Sequence, residues 1–273
     1  MPTWMITGAS SGLGRALAEQ ALAAGHRVVA AARDPDAVRD LAEAHPGAAA
    51  AIRLDVTDQA SVVSAVAAAE RRFGGVDVLV NNAGYGYTAA IEEGEDDAVA
   101  DLFATNFLGP VALIKAVIPA MRARRSGLIV NVSSVGAKIT LPGGGYYSAA
   151  KAALEGVSGA LRKELAPLGV HVMVVEPGSF RTDFRGRSAR GSKVPIHDYD
   201  EILGRTGKPR LGPQRGDPVK AAQAILTAAA EPAPPALLLL GSDALTGYWA
   251  QAQAERDDID RYEQLTLSTD ATD

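Results

Sequence analysis

The sequence predicts an α/β protein, a doubly wound, mostly parallel seven-stranded sheet flanked by helices, as a single domain over residues 1–273. Three observations carry this. Short apolar runs alternate with helix-length segments, which is the rhythm of βαβ units with right-handed crossovers. The runs are continuously apolar, as in strands buried on both faces of a parallel sheet. A hydrophobic share of 47% supplies a core, and aromatics at only 5% beside 28 glycines suit close helix-on-sheet packing better than a β-sandwich.

The elements follow in order. Thr3–Thr7 is the first strand, and Leu13, Ala16, Leu17, Ala21 and Leu22 form a helical stripe stopped by Gly25. Arg27–Ala32 is the second strand, and Asp34-Pro35 reads as a helix cap followed by a first-turn proline. Ala51–Leu54 is the third strand. Asp58 caps a helix running to Phe73, and Gly74–Gly75 ends it. Asp77–Val80, Leu128–Val132, His171–Val175 and Leu237–Leu240 complete the strands, and Asp217-Pro218 starts a late helix.

Ser179–Gly216 breaks the rhythm. It is too long for an ordinary connection and starts at the carboxyl edge of the sheet, where such folds bind ligands. Residues 179–216 therefore read as a substrate-covering lid, with a disordered insertion as the alternative. Residues 243–273 read as a polar tail, loose at its end.

A formal net charge of −5 argues against nucleic acid as a partner. The one basic cluster, Arg181, Arg185, Arg187, Arg190 and Lys193, reads as a solvated mobile loop. With no cysteine, disulfides and thiolate chemistry are excluded, and the four histidines lack metal-binding spacing, so no metal is expected. No signal peptide and no apolar stretch of roughly 18 residues is seen, so the reading is a cytoplasmic protein without a membrane partner.

Thr7-Gly8-Ala9-Ser10-Ser11-Gly12-Leu13-Gly14 joins the first strand to the first helix. Glycines there permit a tight turn and close ligand approach, while helix N–H groups favour a pyrophosphate. Ala32 occupies the place where an acid would bind a ribose hydroxyl. Arg33 beside it suits a 2′-phosphate, so NADP(H) is favoured and NAD(H) stays open.

Tyr147 and Lys151 stand four apart at a helix start, on one face. An ammonium beside a phenol favours phenolate, which makes one useful acid/base from two poor ones. Ser134 ends a strand and would hydrogen-bond a carbonyl or alkoxide. Tyr146 and Ser133 are neighbouring rivals, but Tyr146 has Ala150, not lysine, four residues on.

The glycine-rich loop, Asn81-Asn82-Ala83-Gly84, Asn106, Ser134, Tyr147xxxLys151 and Pro177-Gly178 together resemble the short-chain dehydrogenase/reductase family in order and spacing, over about Thr3 to Leu240. The resemblance implies a Rossmann-type oxidoreductase moving a hydride between nicotinamide and a carbonyl or secondary alcohol. It implies that Tyr147 transfers the proton, Lys151 lowers its pKa and binds ribose, Ser134 orients the carbonyl, and Asn106 holds a relay water. Asn106 also reads as a polar helix residue, beside a turn distorted at Gly109-Pro110. Cofactor contacts implied are Gly8, Ser10, Ser11, Gly12, Leu13, Gly14, Arg33, Asp55, Val56, Asn82, Ala83, Gly84, Pro177, Gly178, Phe180 and Thr182, besides Tyr147 and Lys151. The family is usually dimeric or tetrameric, and Ala152, Ala153, Gly156 and Gly159 offer a flat helix face for a homo-oligomer. Ile139, Leu141 and Phe184 hint at a hydrophobic substrate, and Gly143–Gly145 would leave it room beside Tyr147. A catalytically silent dinucleotide-binding redox sensor or scaffold is the alternative function, and epimerisation or dehydration with bound cofactor a third.

Overall fold

The computed structural model describes residues 1–186, 189–206 and 214–271. Its strands are β1 (Thr3–Thr7), β2 (Arg27–Ala32), β3 (Ala49–Arg53), β4 (Val78–Asn81), β5 (Gly86–Thr88), β6 (Gly127–Val132), β7 (Val170–Pro177), β8 (Ala189–Gly191) and β9 (Leu237–Leu240). Seven of them form one sheet in the order β3-β2-β1-β4-β6-β7-β9. Each pairing in it is parallel, so the sheet is wholly rather than mostly parallel. The third strand begins two residues before its predicted start, because Ala49 and Ala50 pair with Val28 and Val29. Alanine carries almost no strand signal of its own.

The helices are α1 (Gly12–Ala23), α2 (Arg39–Ala44), α3 (Gln59–Phe73), α4 (Asp96–Phe103), α5 (Gly109–Arg124), α6 (Gly145–Leu165), α7 (Asp200–Leu203), α8 (Pro218–Ala229), α9 (Ser242–Arg261) and α10 (Glu263–Leu267). The predicted caps are in place. Asp58 accepts from the Ala60 N–H at 2.9 Å, and Asp217 from the Val219 N–H at 2.9 Å. Gly74 ends α3 in the left-handed region at φ 84°.

Alternate strand residues face opposite helix layers. Ile6, Val28, Val80 and Val130 pack with Leu17 of α1 and Ile225 of α8. Met5, Val29, Leu79 and Ile129 pack with Val66 of α3, Leu113 and Val117 of α5 and Leu161 of α6. Continuous apolar runs are thereby explained, since both faces of each strand are covered. The helical run Asp96–Arg124 is long and apolar enough, by length and composition, to cross a membrane. Here it lies on the sheet with Leu113, Ile114, Val117 and Met121 buried.

Two expectations change. The segment predicted as a polar tail is largely the 20-residue helix α9. Its polar residues support it through i, i+4 pairs such as Gln253–Asp257 at 2.7 Å. The basic cluster is not merely a solvated loop. Arg190, on β8, lies over the Tyr85 ring at 4.3 Å, while Arg187 falls outside the described residues.

Candidate active site

A cleft of about 490 Å³ opens over the carboxyl ends of β1 and β4, where the strand order reverses. The glycine loop forms its floor. Gly8 and Gly12 adopt φ of 65° and 56°, which only glycine takes without strain. A side chain on Gly14 would lie 2.4 Å from both the Gly8 oxygen and Asn82 Nδ2. Ser11 caps α1 without a side-chain hydrogen bond, so the first-turn N–H groups are left for a ligand.

Thr7, which sequence reasoning passed over, ties this loop to the next wall. Its hydroxyl accepts from the Asn82 and Ala83 N–H groups, each at 2.9 Å, and Asn82 Nδ2 donates to the Thr7 carbonyl at 2.9 Å. Nothing about a threonine ending a strand marks it as such a keystone. Deeper in, Asn81 donates to Asn131 at 2.8 Å and Asn131 to Ser158 at 2.8 Å, locking β4, β6 and α6 together.

The predicted residues Gly8, Ser10, Ser11, Gly12, Leu13, Arg33, Asp55, Val56, Asn82, Ala83 and Gly84 line the cleft, as do Ser134, Tyr147, Lys151, Pro177, Gly178, Phe180 and Thr182. Gly14 and Asn106 stand behind it. Arg33 is exposed at the rim and makes no ion pair among the described residues. Asp34 turns away and accepts from the Asp36 N–H at 3.0 Å, and Asp55 in the same cleft feels the Arg33 charge. Asp55 accepts from the Thr57 N–H and hydroxyl, which hold its carboxyl below the usual range.

Asn106 is fully buried in a π-helical turn, Ala104–Leu108, between α4 and α5. The distortion predicted at Gly109-Pro110 thus falls one turn earlier. Asn106 clasps the Tyr85 backbone, accepting at 3.1 Å and donating at 2.9 Å. A side chain on Gly84 would meet Asn106 Oδ1 at 3.1 Å and Lys151 Nζ at 3.6 Å, so these two groups flank that glycine.

Tyr147, Lys151 and Ser134 share one wall. Lys151 is buried, donates to the Val132 carbonyl at 2.8 Å and lies 5.9 Å from the Tyr147 ring centre. Here the expected direction of the phenol shift reverses. Burial pushes Tyr147 up to about 12, opposed only by the Ser134 hydroxyl, and pushes Lys151 down to about 8, opposed by Glu155. Removing both groups from water outweighs their mutual influence at this separation. The rivals are engaged elsewhere. Tyr146 donates to the Ile91 carbonyl at 2.7 Å, and Ser133 donates to Glu155 at 2.5 Å.

The apolar substrate wall differs from expectation. Phe184 lines the cleft, its ring 5.9 Å from that of Tyr147. Leu141 is exposed, and Ile139 packs on Gly247 of α9. Room beside Gly143 and Gly145 is filled by Leu203, Thr88 and Ile91. These fillers come from distant segments, which local composition does not reveal.

Residues 2–193 match the short chain dehydrogenase family. The chain belongs to that family and is an oxidoreductase with a Rossmann fold. It is 36% identical over 270 residues to an oxidoreductase, BOA17, of Botryotinia fuckeliana, covering 97% of this chain and 98% of the relative. A short-chain dehydrogenase structure from Streptomyces avermitilis superposes with a TM-score of 0.93 at 43% identity, covering 99% and 100% of the two chains. More distant structures differ in their nucleotide. An alcohol dehydrogenase from Thermococcus sibiricus in complex with 5-hydroxy-NADP has a TM-score of 0.72 at 27% identity, covering 88% of this chain and 95% of that one. A short chain dehydrogenase/reductase from Burkholderia phymatum in complex with NAD has a TM-score of 0.76 at 27% identity, covering 100% and 96%. A nicotinamide dinucleotide and a small-molecule substrate therefore belong to this fold.

Proposed function

We propose that the chain is an NADP(H)-dependent carbonyl reductase whose proton donor is Tyr147. The observation that carries this is the convergence of Tyr147, Ser134 and Lys151 on one wall of the glycine-floored cleft. The cleft suits a phosphorylated dinucleotide: Gly14 lets the first helix turn pack directly on the Gly8 turn and Asn82, the helix N-terminus has no side-chain cap, and the Arg33 guanidinium makes no ion pair among the described residues. Gly8 to Gly14 would hold the pyrophosphate, Asp55 and Val56 the adenine, and Arg33 the 2′-phosphate. Pro177, Gly178, Phe180 and Thr182 would border the nicotinamide. A bound nicotinamide supplies or accepts the hydride.

The residues move the proton. With its pKa pushed up to about 12, Tyr147 carries its proton throughout the neutral range, which suits donation to a carbonyl oxygen. Ser134 would hold that oxygen. The Lys151 charge matters when the phenol gives up its proton. At 5.9 Å from the ring, an ammonium stabilises the developing phenolate by about 3 kcal/mol at an effective dielectric of 20, near a hundredfold in rate. Lys151 holds that charge only below about pH 8, so reduction should show an alkaline limb there. Asn106, which fixes the Tyr85 backbone beside Gly84, would keep this wall in register.

Phe184 and the Tyr85 ring favour a hydrophobic carbonyl. Segment 179–216 would serve as a lid, of which residues 187–188 and 207–213 lie outside the described residues. Its residues 192–206 are fastened by Glu93, which accepts from the Ile196 N–H at 2.7 Å and pairs with Arg205. The exposed Ala152 and Gly156 of α6 suit a homo-dimer or homo-tetramer contact. Aliphatic, aromatic and cyclic ketones and alcohols assayed with NADPH and NADH test the reading. Ketone-dependent oxidation of NADPH faster than of NADH supports it, and inertness toward every carbonyl refutes it.

A further inference from the structure

A second cavity, of about 250 Å³, lies between α6, β7 and α9. Two carboxylic side chains face it, Glu155 of α6 and Glu176 of β7. Glu176 is buried, and its Oε2 has no partner. Glu155 and Glu176 line the cavity together, near enough for a carboxyl–carboxyl hydrogen bond. A carboxylate can only accept, so that bond needs one proton held between the two groups. Glu155 also accepts from the Ser133 hydroxyl at 2.5 Å. Ser133 stands between Val132, whose carbonyl receives Lys151 Nζ at 2.8 Å, and Ser134, which faces the phenol. Glu155 lies one helical turn beyond Lys151 on the same face. Nothing in the proposed hydride and proton steps uses either glutamate.

We infer that Glu155 and Glu176 are positioning residues that share a proton and thereby set how firmly Lys151 keeps its charge during turnover. The inference rests on the Tyr147–Lys151 reading above. Other ionisable groups around the cavity are Lys138 after β6, Arg162 of α6 and Tyr248 of α9, with Glu255 of α9 paired to Lys138 at 2.9 Å. That pair sits at the partly exposed rim, where its ions largely offset one another. The inner charge behind Lys151 is therefore the single negative charge of the carboxyl pair. Glu155 carries more of it when Glu176 holds the proton, and less when the proton sits on Glu155. Burial raises both carboxyls, and the neighbouring Glu155 raises Glu176 further, to about 8, while the hydrogen bond from Glu176 holds Glu155 down, so the proton resides on Glu176 at neutral pH.

Two conservative variants should act in opposite directions. Glu155→Gln removes the carboxylate that resists loss of the lysine proton, so the alkaline limb of reductive kcat/KM should move to lower pH. Glu176→Gln removes the competitor and offers an amide donor, so Glu155 ionises fully and the limb should move to higher pH. Each displacement should reach about half a pH unit or more. The assay follows NADPH oxidation with the fastest ketone of the panel. Limbs that stay put, or that move in the same direction, overturn the inference, since a merely structural role would lower turnover without opposed movement. Tyr147→Phe is run in parallel. If it retains turnover, the catalytic reading fails and takes this inference with it. If it is dead while both glutamine variants keep the parental limb, only the coupling fails. The unmutated protein gives an independent readout: an infrared band of a protonated carboxyl at neutral pH is expected, and its absence overturns the shared proton.

Discussion

Replacing Gly14 with alanine probes the loop proposed to hold the cofactor's pyrophosphate. The new methyl carbon would stand 2.4 Å from the Gly8 carbonyl oxygen and from Asn82 Nδ2, about 1 Å inside ordinary contact at 3.4 Å. Neither neighbour yields easily. Asn82 is held to the Thr7 carbonyl at 2.9 Å, and Gly8 is backbone in a left-handed turn. Overpacking of this kind costs about 1–3 kcal/mol in stability, roughly 2–10 °C in melting temperature for a chain of this size. The larger effect should fall on binding, because the loop must open by about 1 Å where the proposed reading seats a phosphate against its N–H groups. A displacement of that size costs on the order of a hundredfold. NADPH affinity followed by nucleotide fluorescence, beside thermal denaturation, measures both. Gly25→Ala is the control: unlike Gly14 it has a positive φ of 82°, and nothing lies within 4 Å of the added carbon, so it should lose about 1 kcal/mol of stability with unchanged affinity. A Gly14→Ala protein that binds NADPH as tightly as its parent would refute the assignment of this loop to phosphate.

Other predictions follow from the same geometry. Arg33→Ala should raise KM for NADPH tenfold to a hundredfold, the worth of a charge-assisted hydrogen bond of about 1.5–3 kcal/mol, and leave KM for NADH nearly unchanged; steady-state kinetics with both cofactors checks it. Arg205→Ala should speed hydrogen exchange across residues 192–206. It should also move acid unfolding to higher pH: the Glu93 carboxyl, held down to about 2 chiefly by Arg205, stabilises the fold above its unfolded pKa and loses that contribution as pH falls toward 2. Glu176 runs the other way. Its folded pKa of about 8 exceeds the ordinary value of 4.5, so stability should fall as pH rises between these values. Glu176→Gln should flatten that fall, read from urea midpoints at about pH 5 and about pH 9.

What the sequence made legible is local. The strand Thr3–Thr7, the glycine spacing Gly8–Gly14, the caps at Asp58 and Asp217 and the Tyr147–Lys151 spacing each lie within a few residues of chain. Periodicity and capping chemistry reach that far. The parallel order of seven strands was also legible, because continuous apolar runs require helices on both faces. What escaped depends on residues brought together from afar. Glu155 and Glu176 meet from a helix and a strand, and neither looks unusual in its own segment. The sign of the Tyr147 shift depends on how deeply the fold buries the phenol, which spacing to Lys151 does not report. Leu203 fills the room beside Gly143 from a segment about 60 residues on. Arg190 reaches the Tyr85 ring because β8 pairs with β5, a pairing of three-residue strands too short to register in any pattern.

The central claim is that Tyr147 delivers the proton beside a bound nicotinamide while Lys151 stabilises the phenolate left behind. Tyr147→Phe tests it most directly, with ketone turnover and NADPH affinity measured on the same preparation. The account predicts turnover lower by about a thousandfold, within the range of general acid catalysis, and affinity within about twofold of the parent. Turnover within tenfold of the parent would contradict it.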